Sequence, residues 1–468
     1  MFNLKNKKVT VMGLGLYEEG SGISATKFLL SQGAKVTVTD LKTEEQLQDQ
    51  IKRLGRPAER IRWVLGRHRE ADFKNVDLIV KNPGVSRGSK YLAIARKNKI
   101  PIETDVSLFF QLCDRLRLIG VTGTRGKSTT ATLIYEFIKA SGRPAVLGGN
   151  IKQSPLAQLA QVKKGGEVIL ELSSWLLESL EPIKQSPHIA VFTNIYPDHL
   201  NTYSGIDDYA EAKKNIFKFQ TPQDYVILNR DNGYTRKMGQ EVIGQRYWFS
   251  LKEFKEENGC FISDGRIIFR SNGREQIICS VSILRLPGEH NLANVLAAIA
   301  AAMVAGVKPA AIRAVLKNFQ GLPDRLEFLK EAGGVKYYND TTSTTPEATL
   351  AALQALAGQE SKVKNIILIA GGSDKGLDFR ALAKEIKRTC RAAVLFLDSG
   401  TKRLQPLISS DKLPLALAGN MADAVGLAKS FTRRGDIILL SPACASFGLF
   451  KNEFDRGNQF KGVVKKLK

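Results

Sequence analysis

Several things are scarce in this 468-residue sequence, and each scarcity excludes something. The five cysteines (Cys113, Cys260, Cys279, Cys390 and Cys444) lie far apart with no C-x-x-C pair. That argues against a disulfide framework or a zinc site and for reduced, buried thiols. No stretch reaches about 18 uninterrupted apolar residues, so no membrane-spanning helix is expected. The opening MFNLKNKKVT lacks the apolar run of a signal peptide, and a cytoplasmic protein without membrane insertion is the expectation. Tandem repeats and low-complexity linkers are missing too.

What is present is an ordinary globular composition, 43% hydrophobic and 25% charged, with a formal net charge of +23. The length suits two or three domains. Lysines and arginines are spread along the chain and cluster only in the tail KGVVKKLK. Such dispersion disfavours a nucleic-acid partner and favours a basic surface that handles anionic small molecules.

Strand-like runs alternate with helix-like runs nearly throughout, the signature of parallel sheets with crossover helices, so an α/β fold is expected. One series contains KVTVMG, KVTVTD and DLIVKNPG. A second contains RLRLIGVTG, EVILELSS, HIAVFTNI and DYVILN, with a hairpin-like insert CFISDGRIIFR turning at Asp-Gly. A third holds VKYYND, NIILIAGGSD, AAVLFLDSG and DIILLSPACAS. Boundaries near residues 112 and 320 fit this pattern and give domains 1–112, 113–320 and 321–468.

Two glycine-rich turns follow strands. The second, GVTGTRGKSTT, lacks the first glycine of G-x-x-x-x-G-K-[ST], because Val121 stands there. Gly123, Thr124, Arg125 and Gly126 form a shorter loop before Lys127, Ser128, Thr129 and Thr130. Between a strand and a helix it reads as an ATP site. Backbone N–H groups face the phosphates, Lys127 reaches the β/γ-phosphates, and the Ser128 hydroxyl is placed for Mg²⁺. Glu171 ends a strand and His199 follows one, both at the sheet edge where ligands bind in open α/β folds. The plainer alternatives are a helix N-terminal carboxylate for Glu171 and a loop residue pairing with Asp198 for His199. The first turn, after KVTVMG, carries Glu18 where a dinucleotide fingerprint needs its third glycine, which disfavours NAD.

GVTGTRGKSTT, GGNI, LELSSWLLE, NIYPDHL, YAEAK, PGEHNLANVLAA, PDRLE, YND, GGSDKG and SPACASF with the later LFKN and RG occur in order along the chain. In this set the sequence resembles the Mur ligases of peptidoglycan synthesis. The resemblance implies an N-terminal Rossmann-like domain for the UDP moiety, a central P-loop ATPase, and a C-terminal Rossmann-like domain that receives an amino acid. It implies ATP-dependent joining of UDP-N-acetylmuramoyl-L-alanine to D-glutamate through an acyl phosphate, by a monomer. A related ligase adding another amino acid, such as L-glutamate, is the alternative. A folate or cyanophycin ligase and an NAD-dependent oxidoreductase fused to an ATPase are less consistent with the complete first domain and the displaced glycine.

Carried over by motif, the resemblance places Asn291, Arg325 and Asp340 at ATP. It assigns Ser128, Glu171, His199 and a carbamylated Lys213 to two Mg²⁺ ions. Leu16, Tyr17, Asp40, Gly84, Asn150 and Ser173 fall to the UDP-sugar, and Thr344, Lys375 and Ser446 to the amino acid. The plain reading of Lys213 is a solvated helix lysine, since Lys214 adjoins it. Three positions depart from better-known members: Leu176 for a glutamine, Thr342 for a lysine and Glu453 for an aromatic residue. The last two lie in the domain that receives the amino acid.

Overall fold

The computed structural model describes residues 3–15, 20–150, 153–162, 165–198, 202–286, 288–357, 364–410, 412–446 and 448–467. The chain divides into two compact units, Met1–Ile283 with Ala293–Lys317, and Leu284–Leu292 with Asn318–Lys468. Among the described residues three sheets run through them, two in the first unit and one in the second, as the alternating pattern of the sequence predicts.

The first sheet is built from β1 (Lys8–Met12), β2 (Lys35–Asp40), β3 (Arg62–Leu65), β4 (Leu78–Lys81) and β5 (Ile102–Glu103). Its order, β3-β2-β1-β4-β5, with every pair parallel, is that of the first five strands of a six-stranded Rossmann sheet. The second sheet takes β6 (Leu118–Thr122), β7 (Ala145–Gly149), β8 (Glu167–Glu171), β9 (Ile189–Phe192), β10 (Tyr225–Asn229) and β11 (Gln245–Ser250). It extends through β12 (Gly259–Ser263), β13 (Arg266–Ser271) and β14 (Arg274–Ser280), in the order β14-β13-β12-β11-β10-β9-β6-β8-β7. The Asp-Gly turn predicted between β12 and β13 is there. Asp264 and Gly265 both have positive φ, 48° and 66°, as a two-residue hairpin loop requires.

β6 sits inside its sheet between β8 and β9, and all five of its residues are buried. A strand covered on both faces needs such an unbroken apolar run. The following helix, Lys127–Ala140, buries Leu133, Ile134, Phe137 and Ile138 at helical spacing. One continuous apolar cluster joins the first two sheets, taking in Val9 and Val36 as well as Val168 and Leu170. A capping box at Thr104 starts the helix Asp105–Leu112, and the Thr104 hydroxyl also meets Ser179 Oγ at 2.9 Å.

The third sheet comprises β15 (Glu327–Ala332), β16 (Val335–Asn339), β17 (Ile366–Ala370), β18 (Cys390–Phe396), β19 (Leu415–Ala418) and β20 (Ile437–Leu440). Its order is β15-β16-β20-β17-β18-β19, antiparallel only at β15. Every residue of β17 and β20 is buried.

Candidate active site

The turn after β6 is forced into its shape by what surrounds it. Gly123 and Gly126 have φ of 143° and 83°. A Cβ on Gly123 would stand 1.9 Å from Thr193 Oγ1, and one on Gly126 would stand 2.0 Å from Asn294 Oδ1. Only glycine fits either place. The loop is then pinned from β9's trailing segment. Asn194 O accepts from Thr124 N (2.9 Å) and Asn194 Oδ1 accepts from Arg125 N (2.9 Å), while the Thr124 hydroxyl accepts from Tyr196 N at 3.0 Å. Lys127 Nζ donates to Gly123 O and Thr124 O, each at 3.0 Å, so its ammonium lies over the loop. Thr129 and Thr130 are buried in the first turn of the helix, where Thr130 N closes the first bond to Gly126 O.

Ser128 and Glu171 come together as the strand-end argument expects. Ser128 Oγ donates to Glu171 Oε2 at 2.6 Å, and Asn150 Nδ2 donates to Oε1 at 3.0 Å. Glu171 is therefore not the cap of the next helix. That place belongs to Ser173, whose hydroxyl accepts from Leu176 N at 3.4 Å.

Lys213 overturns its plain reading. It is 1% exposed, and its Nζ donates to Gly123 O (3.0 Å) and Thr122 Oγ1 (3.4 Å) while lying 4.7 Å from the centre of the Tyr209 ring. Burial, with the like charge of Lys127, drives its pKa well below the usual lysine value, against weaker pulls from Asp198 and Glu171. Hydroxyl and carboxylate oxygens converging beside a phosphate loop are donors that suit Mg²⁺. Among the described residues, no group of three or more His, Cys, Asp or Glu side chains converges as a metal cluster. His199 lies outside the described residues.

At the first sheet, Asp40 is 8% exposed and holds the turn after β1, its Oδ2 accepting from Leu14 N and its Oδ1 from Lys42 N, both at 2.9 Å. Gly84 N donates to Asn82 Oδ1 at 3.1 Å in the turn after β4. Leu16 and Tyr17 lie outside the described residues.

In the second unit, Asn291 opens the helix Glu289–Val304, its N–H donating to Gly288 O at 3.1 Å. Asp340 follows β16 and is buried, its Oδ1 accepting from Leu326 N (3.0 Å) and its Oδ2 from Ser441 Oγ (2.8 Å). Burial raises its pKa to about 6 against the pull of these hydrogen bonds and of Arg325, which is exposed. Lys375, exposed on the turn after β17, donates to Thr344 Oγ1 at 3.1 Å, and Ser446 is buried on the segment after β20. Three strand ends thus carry the three residues expected at the amino acid.

Sequence reasoning missed Thr193, Asn194 and Asn294, which shape the phosphate loop from about 70 and 170 residues away. The signal for Asn294 was at hand: in HNLAN it stands one helical turn beyond Asn291.

Family models match the chain in three stretches: a MurD-like N-terminal domain of Mur ligases over residues 7–104, the Mur ligase middle domain over 121–302, and the Mur ligase glutamate ligase domain over 324–444. A UDP-N-acetylmuramoylalanine--D-glutamate ligase from Roseiflexus sp. (strain RS-1) is 40% identical, covering 98% of this chain and 99% of the relative. The ligase of the same name from Clostridium tetani is 36% identical, over 99% and 97%. Among solved structures, the UDP-N-acetylmuramate-alanine ligase of Thermotoga maritima superposes with a TM-score of 0.62 at 19% identity, covering 98% of this chain and 99% of that one. The MurF ligase of the same organism, in complex with ADP, has a TM-score of 0.59 at 16% identity and full coverage of both chains. These two likenesses speak for the fold alone. With relatives above one-third identity over essentially its full length, the chain belongs to the Mur ligase family.

Proposed function

We propose that this chain is an ATP-dependent ligase that adds D-glutamate to UDP-N-acetylmuramoyl-L-alanine, acting as a monomer in the cytoplasm, with domains that divide near residues 112 and 320. The observation that carries this reading is the convergence of Lys127, Ser128, Glu171 and a buried Lys213 on one phosphate loop, in a chain whose full-length relatives bear the name of that ligase.

Joining a carboxylate to an amine in water is uphill, so the carboxylate must first be activated. A carboxylate oxygen of the UDP-sugar's alanine attacks the γ-phosphorus of ATP, the bond to the β,γ-bridging oxygen breaks, and ADP leaves with an acyl phosphate formed. The amine of the amino acid then adds to the acyl carbon, loses a proton, and the tetrahedral intermediate expels phosphate. Lys127 supplies positive charge over the transferring phosphoryl group, and the loop N–H groups hold the phosphates in place. Mg²⁺, held by Ser128 and Glu171 with His199 and a carbamylated Lys213, would neutralise the phosphates and the developing charge. Lys213 suits carbamylation because CO₂ reacts with a neutral amine: the N–C bond forms, one proton is released, and the uncharged amine becomes a negatively charged carbamate. The turn after β1 with Leu16, Tyr17 and Asp40, the turn at Gly84, and Asn150 and Ser173 serve the UDP-sugar. Asn291, Arg325 and Asp340 serve ATP. Thr344, Lys375 and Ser446 receive the amino acid.

Phosphate release with UDP-N-acetylmuramoyl-L-alanine, ATP and a panel of D- and L-amino acids tests the reading. D-Glutamate is expected to give the fastest release at equal concentration. A faster rate with L-glutamate or another amino acid would favour the second reading, a sister ligase. The two departures motivate that reading: the Thr342 hydroxyl is turned onto Asp324 O at 2.9 Å, and Glu453 brings a carboxylate to the first turn of the helix Glu453–Lys465.

A further inference from the structure

The loops after β16, β17 and β20 are joined by their backbones. Ala443 N donates to Ser343 O at 2.9 Å, and Ser373 and Ala445 exchange N–H···O bonds of 2.9 and 3.2 Å. Arg456 lies inside this arrangement, on the helix Glu453–Lys465, with 0% of its surface exposed. Its Nε donates to Thr341 Oγ1 at 3.1 Å, its Nη2 to Thr341 O at 2.8 Å, and its Nη1 reaches Cys444 O at 3.5 Å. Thr341 Oγ1 in turn donates to Glu453 O at 2.8 Å. The helix presses close here, since a Cβ on Gly457 would stand 2.6 Å from Thr341 Cγ2. Burial lowers the guanidinium only to about 10, so it keeps its charge and its rigid fork of donors at neutral pH.

We propose that Arg456 is a positioning residue for the amino-acid step: by tying Thr341 to Cys444, it sets the spacing of Thr344 and Ser446, which sit three and two residues further along those loops. This rests on the reading of Thr344, Lys375 and Ser446 as the amino-acid site. Asp340 shares a loop with Thr341 but has separate anchors in Leu326 N and Ser441 Oγ. Loss of Arg456 therefore relaxes the amino-acid side of the loop and spares the ATP side. That split separates positioning from general structural support.

The test is steady-state phosphate release by full-length Arg456→Met, Arg456→Lys and Lys375→Met with UDP-N-acetylmuramoyl-L-alanine, ATP and D-glutamate. Arg456→Met should raise the KM for D-glutamate roughly tenfold or more, as small displacements of positioning groups do. Arg456→Lys, which keeps the charge and part of the donor set, should raise it less, and the KM for ATP should stay within about twofold in both. An equal rise in every KM, or a lower Tm with no change in the KM for D-glutamate, overturns the proposal. Should the methionine variant fail to fold, the lysine variant decides, and an unchanged KM for D-glutamate there overturns it. Lys375→Met separates the two layers. If it leaves the KM for D-glutamate unchanged, the amino-acid site itself is misassigned. If it raises that KM and neither arginine variant does, only the role of Arg456 falls.

Discussion

Among the described residues, the two most deeply buried cations lie one in each unit. Lys213 is 1% exposed beside the phosphate loop, and Arg456 is 0% exposed behind the loops of the third sheet. Lys213 shares Gly123 O with Lys127, a second cation, and its pKa falls well below that of an ordinary lysine. Arg456 spreads three nitrogens over a hydroxyl and two carbonyls and drops only to about 10. The same desolvation strongly disfavours the charged form of one group and leaves the other a charged clamp. The difference lies in intrinsic basicity, in the fork of donors, and in the like-charged neighbour. Burial can thus strip a cation of its preference for charge or leave it intact, and the surroundings decide which.

The largest expected effect removes that like-charged neighbour. Lys127→Ala should abolish ATP-dependent ligation, because the lost charge at the γ-phosphate contributes on the order of 3 kcal/mol or more to the transition state. Wild-type phosphate release from the variant would refute this role. Next comes Lys213→Ala, expected to be nearly inactive and partly restored by small carboxylic acids that stand in for the carbamate. A fully active alanine variant would sink that reading. Stability distinguishes the two buried cations further. Arg456→Met leaves Thr341 O and Cys444 O without their donor and should lose about 2 to 4 kcal/mol, while Lys213→Met should lose less, because burial and the like charge of Lys127 already disfavour the charged form of its amine. Equal losses in denaturant titrations would mean that the two cations contribute alike to the fold.

Much of this was readable from the chain. Fully buried strands such as β9, β17 and β20 appear as short apolar runs, and the Asp264–Gly265 hairpin announces itself by its turn residues. Some of the strands left unread are short, like the two-residue β5, or end in glycines, like β7, or have little burial at an edge, like β19, whereas the interior β11 opens on two exposed polar residues, Gln245 and Arg246. The phosphate loop was legible because its parts are contiguous. The burial of Lys213 was not, since Lys214 beside it has the same chemistry. Lys214 instead reaches Glu211 and Glu241 at 2.7 Å, and only the packing of the helix Ile206–Lys214 tells the two apart. Arg456 stands in the RG that closes the motif set, but its burial was hidden for the same reason, because its helix is otherwise polar.

The smallest expected effect concerns a buried group of the opposite sign. Asp340 keeps its proton up to about pH 6 in the native state, whereas an unfolded aspartate releases it near about 3.9. Between those values the native state binds more protons, so this group's contribution to stability is present at low pH and is lost as pH rises through the window. The carboxylate that forms above pH 6 is the species that would serve ATP, so binding and stability pull in opposite directions at this residue. In wild type, kcat/KM for ATP should therefore rise with pH through about 6 and then level, with that inflection absent in Asp340→Asn. The amide removes the buried charge but still offers an oxygen acceptor to Leu326 N or Ser441 Oγ. Relative to wild type, Asp340→Asn should therefore be more stable at pH 8 than at pH 5, by roughly 1 to 2 kcal/mol after partial relaxation of the site. Denaturant midpoints of both proteins at the two pH values measure this double difference. A difference that does not change with pH would mean that Asp340 is already ionised at pH 5, and that its hydrogen bonds outweigh its burial.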